Sequence, residues 1–141
     1  MTDPILITGG ATRLGLALAE YYLTVGQQVV ITYRSPRPQV EQLTDRGALC
    51  VPADFSTDDG VYAAAQELQD KCPVLHSIVH NASSWFTDPG GRQNLDHLAL
   101  MMRVHIGAPM VLTETLAPAL LGSDNPSVIH VSDHVANRGS D

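Results

Sequence analysis

The chain is short of basic residues, short of cysteine, and has no long apolar run. Eight Lys and Arg stand against fifteen Asp and Glu among 141 residues, a formal charge of −7 at pH 7. That balance excludes a broad surface for nucleic acid or for an anionic membrane, both of which need dense positive charge. It leaves room for one local cationic site of phosphate size. The two cysteines, Cys50 and Cys72, form no CxxC and join no Cys/His cluster of zinc spacing. They read as reduced thiols in or near a core, and no metal site is expected. No signal peptide opens the sequence, and no apolar run reaches the roughly 18 residues of a membrane span. These absences predict a cytoplasmic globular protein. Its 44% hydrophobic and 16% charged residues are ordinary proportions for one.

What is present is an alternation. Short apolar runs, "ILIT" from Ile5, "QVVITY" from Gln28, "ALCVPAD" from Ala48, "LHSIVHNA" from Leu75 and "SVIHVS" from Ser127, read as buried strands. Between them lie segments of helical spacing. The first runs from Arg13 to a C-capping Gly26, the second ends at Gly47, and the third follows the Ser/Thr caps of "STDDG". The fourth is a long helix from Asn94, which Pro109 and Pro118 are predicted to bend or to break near its end. Strand, helix, strand with short links means a parallel sheet covered on both faces, with right-handed crossovers. The expected architecture is α/β: one Rossmann-type doubly wound domain over residues 1–141, strand order 3-2-1-4-5, with strands 1–5 present and the C-terminal part of the fold missing. Ligands of such sheets bind beyond the carboxyl ends of the strands, at the switch point between strands 1 and 4.

The unusual residues fall at those ends. "TGGATRLG" (Thr8 to Gly15) leaves strand 1 and opens the first helix. Glycines there let the backbone approach a pyrophosphate, and the helix start offers unpaired N–H groups to it. At the end of strand 2, where an NAD site places a carboxylate for the ribose hydroxyl, "TYRSP" has Arg34 and Ser35. A guanidinium beside a hydroxyl suits a 2′-phosphate, which predicts NADPH over NADH, with Arg37 as a further helper. Asp54, in "ADFS", either accepts from the adenine amino group or competes with Ser56 for the N-cap of the third helix.

"TGGATRLG", "ADFS", "HNASSWF" and "VIHVSD" occur in the order and spacing of the short-chain dehydrogenase/reductases, and the chain resembles that family over essentially its whole length. It departs from the family pattern at informative places. Arg13 stands where the middle glycine of TGxxxGxG belongs, His80-Asn81-Ala82-Ser83 replaces NNAG, Asp133 takes the position of the catalytic Ser, and His105 that of an Asn. Together these resemble the pteridine reductase branch. The resemblance implies hydride transfer from NADPH to a dihydropterin, dihydromonapterin or dihydrofolate-like, giving the tetrahydropterin. It implies cofactor contacts from Gly9, Arg13, Leu14, Arg34, Ser35, Asp54, Phe55, Asn81, Ala82 and Ser83. Arg13, Ser83, Trp85 and Asp133 would meet the pterin, with Trp85 stacking on it and Phe86 as a weaker aromatic candidate.

Asp133 is the catalytic candidate. A pterin presents ring nitrogens and amino groups where other substrates present a carbonyl. A carboxyl group can accept from an amino group, or pass a proton toward the reacting nitrogen. His80 and His130 read as satisfied core residues, and His76, His97 and His134 as surface or loop residues. The family's catalytic Tyr, and a Lys one helical turn later, belong on a helix beyond Asp141. The sequence therefore reads as the N-terminal part of a reductase, a homotetramer when complete, in which the long helix from Asn94 pairs with its mate. Two alternatives stay open: a reductase of another carbonyl or imine, and a non-catalytic dinucleotide-binding module if the chain ends at Asp141.

Overall fold

In a computed structural model the fold is described for residues 3–85 and 93–133. Five parallel strands form one sheet in the order β3-β2-β1-β4-β5. They are β1 (Ile5–Ile7), β2 (Val29–Tyr33), β3 (Leu49–Pro52), β4 (Ser77–His80) and β5 (Ser127–His130). The predicted order holds, and each strand is shorter than its apolar run. Helices α1 (Arg13–Thr24), α2 (Pro38–Asp45) and α3 (Asp58–Lys71) connect the first four strands.

Side chains alternate across each strand, so the sheet feeds two cores. Leu6, Val30, Val51 and Ile78 point to one face and pack with α3 and the long helical segment. Ile5, Ile7, Ile31 and Val79 point to the other, against α1 and α2. Burial on both faces is why the strands read as unbroken apolar runs. Cys72 is buried and Cys50 half-buried, and both thiols are free.

Of the Ser/Thr caps expected for α3, Thr57 is the one used, its hydroxyl accepting from Gly60 N at 3.1 Å, and the alternative of Asp54 or Ser56 as the cap is not taken up. The long helix does not break at Pro118. It is α4 (Gln93–Met102), a π-helical turn (Arg103–Gly107) and α5 (Ala108–Leu121) in continuous succession. Pro109 lies just after the π-turn; with no N–H to donate to the preceding turn of a continuous helix, it sits where the regular ladder is interrupted. Pro118 is inside α5 near its end.

The 28 residues from Asn94 to Leu121 are long and apolar enough, by length and composition alone, to cross a bilayer. In the fold this segment covers the sheet, burying Val104, Leu112 and Leu116. Its outer side carries a row of exposed apolar residues, Leu95, Leu98, Met102, Ile106 and Met110. Among the described residues strand β5 is an edge of the sheet, and all four of its residues are exposed.

Candidate active-site groove

A groove of about 980 Å³ runs along the carboxyl ends of the strands. Its first wall is the β1–α1 loop, which hangs from Thr8. The Thr8 hydroxyl, buried at the end of β1, accepts from Asn81 N at 2.9 Å and Ala82 N at 3.0 Å. Asn81 Nδ2 donates to Thr8 O at 3.0 Å and to Gly9 O at 3.3 Å. On the other side Gly9 N donates to Thr32 Oγ1 on β2 at 3.1 Å. The loop is thus stitched to both neighbouring strands. Asn81 lines the groove, but its amide nitrogen is already spent on holding this loop.

Gly15 is needed for close contact, and Gly9 for close contact and for its backbone conformation. A Cβ on Gly15 would come within 2.3 Å of Gly9 O and 2.6 Å of Asn81 Nδ2. Gly9 has a φ of +67° and approaches Ala82 closely. Thr12, the residue before α1, makes no side-chain cap, and the first turn of α1 has no acidic residue. The N–H groups at this helix start therefore remain for an anion. Arg13 departs from the rule for its backbone: it has a φ of +50°, the left-handed region that glycine occupies at low cost.

Along the β2 and β3 ends the groove is lined by Arg34, Ser35 and Arg37, all exposed, and by Asp54 and the buried Phe55. Asp54 Oδ1 accepts from Ser56 N at 2.9 Å. Hydrogen bonds from the Ser56 side chain and backbone, with a smaller contribution from the Arg34 charge, hold its carboxyl below the ordinary carboxylate value. It is an acceptor at neutral pH. At the other end stand Ala82, Ser83 and Trp85 after β4, and Ser132 and Asp133 after β5. Trp85 is 75% exposed, its ring open to the groove rather than packed in the core. Leu14 and Arg13 complete the wall from α1.

Every predicted site residue among the described ones therefore lines one groove. Phe86 and His134 lie outside the described residues. No group of three or more His, Cys, Asp or Glu that could hold a metal occurs among the described residues.

The histidine readings need revision. His80 is buried, but its Nδ1 has no hydrogen-bond partner. His130 is exposed and lines the groove rather than the core. His105 lines it too, with Nε2 at 3.0 Å from Ser84 O and 3.3 Å from Ser84 N. Arg103, which no sequence signal singled out, pairs through Nε with Asp58 Oδ1 and donates from Nη1 to Ser56 O at 2.9 Å.

With this geometry in place, comparison with known proteins assigns the class. The chain belongs to the short chain dehydrogenase family, whose model matches residues 3–141. Among curated relatives, the dihydromonapterin reductase of Citrobacter koseri is 45% identical over 140 residues, covering 98% of this chain and 58% of that protein. The Escherichia coli K12 protein of the same name is 43% identical over the same share. The chain thus spans somewhat more than half the length of the curated relatives it matches. Among solved structures, a Pseudomonas aeruginosa RhlG/NADP active-site complex superposes with a TM-score of 0.83 at 22% identity, over 99% of this chain and 57% of that one. A blue fluorescent protein from a metagenomic library, in complex with NADPH, gives a TM-score of 0.78 at 22% identity, over 99% of this chain and 59% of that one. These likenesses concern the fold.

Proposed function

We propose that the chain is the NADPH-binding part of a single-domain reductase that reduces a dihydropterin to its tetrahydro form. The observation that carries the reading is the pairing of two chemistries in one groove. One end offers Arg34 and Ser35 without a carboxylate at the β2 end, and the groove also offers an exposed indole, Trp85, and a carboxyl group, Asp133. The first suits a 2′-phosphorylated adenosine. The second suits a flat ring bearing amino groups. The similarity to dihydromonapterin reductases supports the same substrate class.

The residues present fit NADPH. The close approach of Gly9 and Gly15 leaves backbone where a pyrophosphate needs it, and the uncapped start of α1 faces it. Arg34 and Ser35 hold the 2′-phosphate, and Asp54 accepts from the adenine amino group. Leu14, Phe55, Asn81 and Ala82 shape the wall between. NADPH bound there supplies a hydride. Arg13 lies between the phosphate path and the pterin's polar edge, Ser83 meets both ligands, and Trp85 stacks on the pterin. Asp133 accepts from a pterin amino group and orients the ring for protonation at nitrogen. The exposed row from Leu95 to Met110 supports burial against a second copy, in a homotetramer. We read the protein as cytoplasmic, with a small-molecule partner and neither nucleic acid nor membrane.

The test uses the reductase at the full length of its curated relatives, with NADPH and a panel of dihydropterins, ketones and imines. Oxidation of NADPH with dihydropterins alone is expected. The Asp133→Ser variant is expected to lose pterin reduction while keeping NADPH affinity. Full activity in that variant removes Asp133 from the mechanism. NADPH binding without turnover of any pterin favours a binding module instead.

A further inference from the structure

Beside the groove, sharing wall residues such as Phe55, Val104 and His130 with it, lies a second, smaller space. It measures about 20 Å³, and its walls include Thr8, His80, His105 and His130 among apolar neighbours such as Val104 and Leu112. That is room for one water molecule and little else.

His80 is the reason to fill it. The residue is 4% exposed. Its Nε2 lies 2.9 Å from Thr113 Oγ1 on α5, while its Nδ1 is buried without a partner. Burial, with His130 alongside, pushes the His80 pKa down to about 4. At neutral pH the ring is therefore uncharged, with one donor nitrogen and one acceptor nitrogen. Thr113 satisfies one of them. A buried polar atom left bare is rare in a native fold, and an ordered water is its usual partner.

The position of the ring gives this consequence. His80 and His130 are in register as the last residues of β4 and β5, with ring centroids 4.7 Å apart and planes tilted by 32°. His130 and His105 wall both the small chamber and the groove, whereas His80 walls the chamber alone.

We propose that the chamber is a site for a single water, hydrogen-bonded to His80 Nδ1 and shared with the histidines that wall the groove. His80 is then a positioning residue. It touches no ligand, and with its water it fixes the His130 ring at the end of the strand that leads to Asp133. The inference rests on the chamber and on the bare nitrogen, not on the identity of the substrate.

The experiment is water–protein NMR on the full chain carrying ¹³C,¹⁵N-labelled histidine, with no substrate added. A long-lived water with rotating-frame cross-peaks to the His80 ring protons is expected, with Nδ1 at a hydrogen-bonded shift. No such cross-peak, or Nδ1 at the shift of a free imidazole nitrogen, overturns the proposal. Two variants, each checked for fold by its amide spectrum, sharpen it. His80→Leu keeps bulk but no nitrogen, and the water signal at the His130 ring is expected to vanish. Thr113→Val removes only the Nε2 partner, and the water is expected to stay. Water retained in the first variant, or lost in the second, overturns the assignment. Because no readout involves turnover, failure of the pterin reading leaves this result unaffected.

Discussion

Arg103 and His105 lie on the same π-helical turn and hold opposite walls of the groove. Arg103 binds Ser56 O and Asp58, at the turn that carries Asp54 and Phe55. His105 sits within hydrogen-bonding distance of both backbone groups of Ser84, next to Trp85. A regular α-helical turn advances about 100° per residue; the wider turn changes that angle, and π-turns recur at functional sites for this reason. The loop at one end of the groove and the loop at the other share one support.

The first prediction concerns that support. Arg103→Met keeps the aliphatic stem and removes every donor. Loss of the part-buried bond to Ser56 O is expected to cost about 1 kcal/mol of NADPH affinity, roughly fivefold. The exposed contact with Asp58 contributes little. Isothermal titration with NADPH measures this, and Arg103→Lys is expected to recover part of the loss. Unchanged affinity in Arg103→Met would mean that the β3–α3 turn holds its shape unaided.

Arg13 gives a prediction in which stability and binding move in opposite directions. Its backbone has a φ of +50°, a conformation that costs a non-glycine residue roughly 1 kcal/mol or more. Arg13→Gly is expected to raise the unfolding free energy by about 1 kcal/mol and to weaken NADPH binding. Urea unfolding and titration on the same samples decide it. A variant that is destabilised would show that the arginine side chain contributes more to the fold than its backbone costs.

Cofactor choice is set at Arg34 on this reading. Arg34 is exposed at the end of β2 and lines the groove with Ser35. Arg34→Ala is expected to lose about 1.5–3 kcal/mol of NADPH affinity, the range for hydrogen bonds to a charged group. NADH affinity should stay nearly constant, since NADH has no 2′-phosphate. Parallel titrations with the two dinucleotides measure the ratio. Equal losses for both would remove Arg34 from the phosphate site.

The sheet was legible because its strands are buried on both faces. Val30 packs to one side and Ile31 to the other, so β2 has to be apolar throughout, and the alternation with helices then orders the strands. The groove was legible for a related reason, since glycine and polar side chains collect where strands end. The glycine ends of α1 and α2 were legible, since Gly26 and Gly47 both take the positive φ expected there; which of two neighbouring hydroxyls caps α3, and the π-turn, were not. Thr57 rather than Ser56 caps α3 because of one backbone geometry that neighbouring Ser and Thr residues read alike. The turn at Arg103 has no proline or glycine of its own before Gly107. His130 was read as core because an apolar run looks the same whether or not a neighbouring strand covers it, and among the described residues nothing pairs with β5 on its outer side.

The last prediction is a pH dependence that follows from His80. Its folded pKa is lowered from 6.5 to about 4, first by burial and then by the neighbouring His130. Above pH 6.5 the ring is neutral in both folded and unfolded chains and contributes no pH dependence. Between 6.5 and 4 the unfolded chain takes up a proton that the folded chain refuses. Protonation then favours unfolding, and stability falls as pH falls through this window. Below about 4 the folded ring is protonated too and the effect levels off. Urea unfolding from pH 8 to pH 4 measures it, with His80→Gln as the reference, since glutamine does not titrate. The wild type is expected to lose more stability than His80→Gln between pH 6.5 and pH 4, and to run parallel to it between pH 8 and pH 7. Parallel curves throughout would mean that His80 is protonated in the folded protein as readily as in the unfolded one.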